Sequence, residues 1–489
     1  HSCPDQPQRL LDDSMTQDAP FAMSRRALLQ STLGFGALAL NGIMAAETQN
    51  RPDGNPHFMP KAKRVIWLFM RGGVSHMESF DPKPALNEFA GKSISETPYK
   101  SVLDASKIRK LRIPIKGDAN GHTRTKIFPM QTGFKRYGQS GIEISDWFPN
   151  IGSCADDIAF IRSMWTSDNN HGAQVQFHSG RHFLDPRVPT IGAWINYGLG
   201  SLSENLPQFI NIGPRFFDKK DAHYLGPAYD AVNLKIDPNN PLDYAKPSNG
   251  MTAAEQRRNL ELTNNLNRFA ANQYPLDPVI EARIKSYELA FRMQTAVPDA
   301  LDFSQESSET QKLYGLDQNE TKSFGQQLLA ARRLSELGVR FIQIMHGDGA
   351  AGAWDNHSGL KNGHSRLSRQ VDLPTAGLLK DLKRRGLLED TIVVFATEFG
   401  RTPGSQGADG RDHHSFGFSV WMAGGGIKGG ITNGSTDELG YHAVEAPHYV
   451  TDVHATINHL MGIDPHKLEV PGHKRLEMDF GHVIEDIIA

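Results

Sequence analysis

The chain has 489 residues, of which 38% are hydrophobic and 22% charged, and its formal net charge is −3 at pH 7. That composition belongs to a globular protein with room for one large α/β domain with insertions, or for two domains. The near-neutral balance gives no footing for nucleic acid or an anionic membrane surface, and two cysteines, Cys3 and Cys154, exclude a disulfide framework.

Residues 1–22 are polar and irregular, and Met23 starts the next stretch cleanly. Residues 23–47 read as an export signal: Arg25-Arg26, an apolar stretch of modest length, then small residues at Ala45-Ala46. Ser24–Leu29, SRRALL, resembles the twin-arginine signal, which predicts a folded protein delivered to the periplasm or the cell exterior. Gly34, Gly36 and Asn41 interrupt the apolar stretch, leaving it too weak for a stable membrane span. Residues 48–63 read as a polar linker, and 64–489 as the main domain.

Arg64–Met70, RVIWLFM, is a continuous apolar run that reads as a buried strand. The turn Arg71-Gly72-Gly73 follows, then Ser75, His76, Glu78 and Asp81. Residues 91–140 have little periodicity and read as loops with short strands. Ile158–Met164 is a second strand, followed by Thr166, Ser167, Asp168, Asn169, Asn170 and His171, with a helix predicted over Gly172–Gly180. A hydroxyl at the start of such a helix faces free N–H groups and the positive dipole end, a place suited to an anion and an activated nucleophile. The simpler role there is an N-cap. Gln208–Ile212 is a short strand. Residues 214–319 are polar and charged, with helical segments at Ala253–Tyr274 and Pro278–Thr295, and read as a helical insertion or cap over the sheet.

Thr321–Leu337 is an amphipathic helix closed by Gly338, and Val339–Met345 a buried strand. His346, Asp348, Trp354, Asp355 and His357 come next, in a Gly/Ala-rich loop. Leu367–Arg385 is a helix ending at Gly386. Thr391–Thr397 is another buried strand and ends in Glu398. Just behind it Asp412, His413 and His414 fall within what reads as one short loop. Phe418–Ala423 is a strand stopped by Gly424-Gly425-Gly426, and Thr451–Met461 a closing helix. Strands alternating with helices predict a mainly parallel sheet with right-handed crossovers, a three-layer α/β/α sandwich.

Four apolar runs thus end in polar clusters: His76/Glu78/Asp81, Ser167/Asn170/His171, Asp355/His357, and Glu398 with Asp412/His413/His414. Parallel strands gather such clusters at one sheet edge, where open α/β folds bind ligands. Mixed imidazole and carboxylate ligands suit zinc, manganese or iron, and carboxylates also magnesium or calcium. One or two such ions, about 4 Å apart when paired, could clamp a tetrahedral oxyanion and activate a Ser or Thr hydroxyl. The implied chemistry is hydrolysis or transfer of a phosphate, sulfate or phosphonate ester.

From Arg64 to about Asp464 the chain resembles the DUF1501 family, abundant in planctomycete-type bacteria and placed in the alkaline phosphatase/sulfatase superfamily. The resemblance rests on GGVSHMESFDPKP at Gly72–Pro84, WDNH at Trp354–His357, GLLEDTIVVFATEFGRTP at Gly386–Pro403, GRDHH at Gly410–His414 and AGGGIKGG at Ala423–Gly430. It implies an alkaline phosphatase-like fold and an exported, metal-dependent hydrolase of a small-molecule or glycan ester. In the nucleotide pyrophosphatase branch a nucleophilic Thr precedes an Asn-His pair. The matching place here is Ser167, ahead of Asn170-His171, with Thr166 as second candidate. Glu398 stands for the Asp of the superfamily's late Asp-His pair, but Phe399 occupies the His place, so His413 or His414 would have to compensate. The Asp after the first strand is replaced by Gly72-Gly73, with Glu78 or Asp81 further on, and His76 and Glu78 are further candidate ligands there. Asp355, His357, Glu398, Asp412, His413 and His414 are the implied ligands, and Arg401 or His171 the groups at the oxyanion. Cys154 lacks the C-x-P-x-R setting of a formylglycine sulfatase. Phe399 and the missing Asp leave a second reading: a binding or structural protein that keeps the fold without the activity.

Overall fold

Val65 to Met70 are all buried, and the neighbours explain why the run has no polar side. In the computed structural model, which describes residues 52–107, 123–215, 220–237, 252–273, 289, 292–293, 296–349, 351–470 and 480–489, this strand sits between two parallel partners and under helices on both faces. The strands in chain order are β1 (Arg64–Met70), the hairpin β2 (Phe134–Tyr137) and β3 (Ile142–Ser145), β4 (Ile158–Trp165), β5 (Phe209–Ile212), β6 (Val232–Leu234), β7 (Phe341–His346) and β8 (Thr391–Ala396). They continue with β9 (Gly400–Gln406), β10 (Gly410–His414), β11 (Phe418–Ala423), β12 (Ile431–Asn433), β13 (Ser435–Thr436), β14 (Ala443–Glu445) and β15 (His448–Tyr449). The central sheet runs β12-β4-β11-β8-β1-β7-β5-β6, with β15 paired to β4. Only β11 among its described strands is antiparallel, to both β4 and β8.

Alternation along β1 sends its side chains to two cores. Ile66, Leu68 and Met70 join the cluster of Leu328, Leu334, Val371 and Leu378, from the helices Asn319–Glu336 and Leu360–Arg384. Trp67 and Phe69 face the opposite layer, packing on Phe177 and His178 of the helix Ala173–Ser179; Trp67 also meets His454 of the helix Val450–Leu460. The three layers and mainly parallel sheet predicted from the sequence are therefore present.

Four expectations are refined. The GRDHH segment is not a loop: it is strand β10, paired antiparallel with β9 so that His413 faces Arg401 and His414 faces Gly400. Neither strand shows apolar alternation, because their side chains bind one another and the site rather than a core. The helix expected from Leu367 begins two turns earlier, at Leu360, behind a left-handed Gly359, and carries Pro374 within its buried face. Residues 52–62, expected as part of a linker, are tied down, with His57 N donating to Gly462 O and Lys61 N to Leu460 O, each at 2.8 Å. Residues 214–319 supply the edge strand β6 as well as the helix Ala253–Gln273, and Val297, Ala300 and Leu301 lie in the main core. The export signal and most of the Pro278–Thr295 segment lie outside the described residues. Among the described residues no helix is long and apolar enough to cross a membrane.

Candidate metal centre

Strands β1, β4, β7 and β8 share one direction, so the residues that follow them emerge at one edge of the sheet. The reversed β11 starts at that edge, and so the β9–β10 hairpin that connects β8 to β11 lies over it.

Two glycines after β1 seat the loop that carries Asp355. Gly72 and Gly73 have φ of +117° and +92°, a region that side-chain-bearing residues avoid. A Cβ on Gly72 would lie 2.5 Å from the Asp355 backbone nitrogen, and one on Gly352 2.3 Å from the Arg71 carbonyl carbon. Trp354 N donates to Arg71 O at 3.0 Å, and the buried Trp354 ring donates through Nε1 to His346 Nδ1 at 3.0 Å. We expect Gly72→Ala to combine backbone strain with overpacking and to lower stability by about 3 kcal/mol, measured by chemical denaturation. An unchanged midpoint would show that the loop is not held by this contact.

Asp355 is ringed by three imidazoles. Its Oδ1 lies 2.9 Å from His357 Nε2 and 3.1 Å from His413 Nε2, and its Oδ2 lies 3.2 Å from His171 Nε2. His357 Nε2 and His413 Nε2 are 3.0 Å apart. The other ring nitrogens are already committed. His171 Nδ1 meets Glu398 Oε1 at 3.0 Å, His413 Nδ1 meets the Asn169 carbonyl at 2.9 Å, and His357 Nδ1 bonds Gln406 Oε1. A carboxylate and a carbonyl oxygen only accept, so each Nδ1 carries a hydrogen, and whenever a ring is neutral its Nε2 is left with the lone pair. Three Nε2 atoms thus converge on one carboxylate.

The surrounding groups fix this arrangement. Arg401 Nη2 donates to Asp355 Oδ1 at 2.7 Å, while the rest of its fully buried guanidinium is spent on the carbonyls of Gly72, Gly73, Trp354 and Arg411. Glu398, also fully buried, accepts from Gly72 N at 2.9 Å and Gln174 Nε2 at 2.9 Å besides His171. Burial alone would raise the Glu398 carboxyl, but the His171 hydrogen bond outweighs it and the pKa falls. For Asp355 burial is likewise outweighed, by His171, His357, His413 and Arg401, which hold it far below the usual carboxylate range. Burial pushes the His413 imidazole down to about 4 despite Asp355. Burial also opposes protonation of His171, yet hydrogen bonds to Asp355 and Glu398 leave its pKa raised. Asp355 and His357 keep 17% and 26% of their side chains exposed, so this side of the centre meets solvent.

Ligand atoms of His171, Asp355 and His413 lie within 4.8 Å of one another, as do those of His357, Asp412 and His413. The donor set suits a divalent ion: imidazoles oriented by outer acceptors, beside a carboxylate. His171, expected at an oxyanion, thus stands among the ligand-type groups. Phe399 walls the centre, its ring 4.5 Å from that of His413 and 5.3 Å from that of His171.

Other candidates are placed elsewhere. Ser167 Oγ accepts from Gln176 Nε2 at 2.8 Å and lies 3.1 Å from Tyr449 Oη, and Thr166 Oγ1 donates to Gln176 Oε1 at 2.8 Å, so both hydroxyls bond groups outside the imidazole ring. Glu78, expected as a ligand, is the buried partner of Arg411 at 2.7 Å. His76 bonds the Gly440 carbonyl at 2.9 Å, and burial lowers its pKa. His414 points to the other side of β10, where it bonds the Tyr441 carbonyl and burial pushes it down to about 3. Arg401, expected at an oxyanion, is instead saturated by Asp355 and four carbonyls. Gln174, Gln406 and Asn169 were not foreseen. Gln174 lies three residues beyond His171, at the spacing that brings two side chains to one side of a helical turn, but nothing in the local sequence marks Gln406.

Solved structures similar to this chain include a phosphonate monoester hydrolase from Silicibacter pomeroyi, 12% identical over 67% of this chain and 73% of that one, with a TM-score of 0.33. A sulfatase from Pseudoalteromonas sp. is 11% identical over 88% and 71%, with a TM-score of 0.33. The C-terminal periplasmic domain of EptC from Escherichia coli is 8% identical over 87% and 90%, with a TM-score of 0.32. Curated proteins gave no match. Residues 62–488 match the family described as protein of unknown function, DUF1501, and with that match covering most of its length the chain belongs to the DUF1501 family.

Proposed function

We propose that this protein is an exported hydrolase of phosphate or sulfate esters that works with a divalent cation held by His171, Asp355, His357 and His413. The observation that carries the reading is the convergence of three imidazole Nε2 atoms on one carboxylate, each ring oriented from behind by an acceptor. Three nitrogen donors and one oxygen favour zinc, manganese or iron over calcium or magnesium. Such an ion polarises an ester oxygen and lowers the pKa of the attacking hydroxyl or water. The chain's own part is to hold that geometry. Arg401 fixes the Asp355 carboxylate, Glu398 fixes the tautomer of His171, and Phe399 with the buried face of the hairpin keeps one side dry. The substrate would be a small-molecule or glycan ester, met outside the cytoplasm after twin-arginine export.

Ser167 is the protein hydroxyl offered as nucleophile at the end of β4. The purified protein, loaded with zinc or manganese, should turn over at least one of p-nitrophenyl phosphate, p-nitrophenyl sulfate or a phenylphosphonate ester, and chelation should abolish this. Loss of turnover in Ser167→Ala identifies Ser167 as the attacking group, whereas activity unchanged in that variant assigns attack to water. The second reading, a binding or structural protein, is favoured by the hydrogen bonds of Ser167 to Gln176 and Tyr449. Bound metal with no turnover on the whole panel would support that reading over hydrolysis.

A further inference from the structure

Asp412 lies in the second ligand-type group with His357 and His413, and a pair of ions would need it. Its environment argues otherwise. The carboxylate is fully buried, and its Oδ2 accepts from both Nε and Nη2 of Arg124, at 2.8 Å and 2.7 Å. Its Oδ1 accepts from the His413 backbone N–H at 2.8 Å. The near nitrogen of His357 is Nδ1, 3.7 Å away, and that atom is engaged with Gln406. A second ion here would have to displace a two-pronged guanidinium from a buried carboxylate and turn His357 away from Gln406.

Arg124 is held where it is by its own backbone. Residues 124–128 run beside β9: Ser405 N donates to Lys126 O at 2.8 Å, and Phe128 N to Pro403 O at 3.0 Å. Gly404 lets this chain approach closely, since a Cβ there would lie 1.9 Å from the Arg124 carbonyl oxygen. The guanidinium is therefore delivered to Asp412 by a strand-like contact rather than by a free side chain.

We infer that the centre takes one cation, and that Arg124 stands as a fixed positive charge where a second cation would otherwise bind. This rests on the metal reading above. One ion neighbours His171, Asp355, His357 and His413, and the Arg124–Asp412 pair closes the remaining position.

The test is manganese binding to the full chain by equilibrium dialysis, with electron paramagnetic resonance of the bound ion. The wild-type protein should bind one Mn²⁺ per chain and give the six-line spectrum of an isolated ion. Arg124→Gln removes the guanidinium from Asp412 and should take up a second Mn²⁺ at millimolar concentration, with the spectrum broadened by coupling between neighbouring ions. Arg124→Lys keeps the charge and should remain at one, and circular dichroism reports whether each variant folds. Two tightly bound ions in the wild type overturn the inference while leaving the hydrolase reading intact. One ion in a folded Arg124→Gln protein also overturns it. No bound ion in the wild type removes both readings.

Discussion

On the proposed metal reading, Asp355→Asn should abolish tight zinc binding. Asp355 is the carboxylate on which all three imidazoles close, and the amide nitrogen of an asparagine would turn a donor toward lone pairs that need a cation. Loss of an outer partner of a metal ligand typically costs 10- to 100-fold in affinity, so loss of the central ligand should exceed about 100-fold. Glu398→Gln supplies the comparison. Glu398 bonds His171 Nδ1, Gln174, Thr397 and the Gly72 amide, behind the ring of Nε2 atoms, and its loss should fall within the smaller range. Asp355→Asn should also lower the stability of the metal-free protein, because Arg401 is then a fully buried cation facing only carbonyls; removing one partner of a buried pair costs about 3–5 kcal/mol. Isothermal titration with zinc and thermal melts in chelator check the two effects separately. Zinc affinity within tenfold of wild type would remove Asp355 from the centre.

Stability should fall steeply on mild acidification. His178, His346 and His454 are deeply buried, and burial pushes each down to about 4. His346 Nδ1 accepts from Trp354 and so needs its lone pair, and His454 donates to the Phe177 carbonyl at 2.7 Å. In the unfolded chain each would titrate near the ordinary value of about 6.5. Between those values the unfolded state binds more protons, so stability is full above about pH 6.5 and is lost as pH falls toward 4. Each histidine contributes up to about 1.4 kcal/mol per pH unit and the three together about 4. The depressed carboxylates of Asp355 and Glu398 act in the same direction at lower pH. Melting temperatures taken from pH 7.5 to 5 in chelator read this directly, and His346→Gln, which keeps an acceptor for Trp354, should lower the slope by up to about 1.4 kcal/mol per pH unit. A flat profile across that range would contradict the burial of these rings.

The fold was legible because its buried strands advertise themselves. RVIWLFM and TIVVFA are apolar on both sides for the plain reason that both sides are covered, and each ends at the place where a ligand-type residue follows. The common direction of those strands then brought Asp355, His171 and Glu398 to one edge. Legibility stopped where polar side chains serve each other. Nothing in GRTPGSQ or GRDHH shows that they pair, yet that pairing decides that His413 faces the centre and His414 faces Tyr441. Glu78 and Asp412 have the composition of ligands and the partners of structural ions, Arg411 and Arg124, which lie more than two hundred positions away. Charge type is visible in a sequence; the counter-charge it has found is not.

The β9–β10 hairpin starts and ends on strands that are hydrogen-bonded neighbours, β8 and β11. His413 is consequently anchored at both ends of its segment to the same sheet that carries Glu398. On the proposed metal reading such a frame would resist widening for a larger ion, and selection by ionic radius would be set when the chain folds.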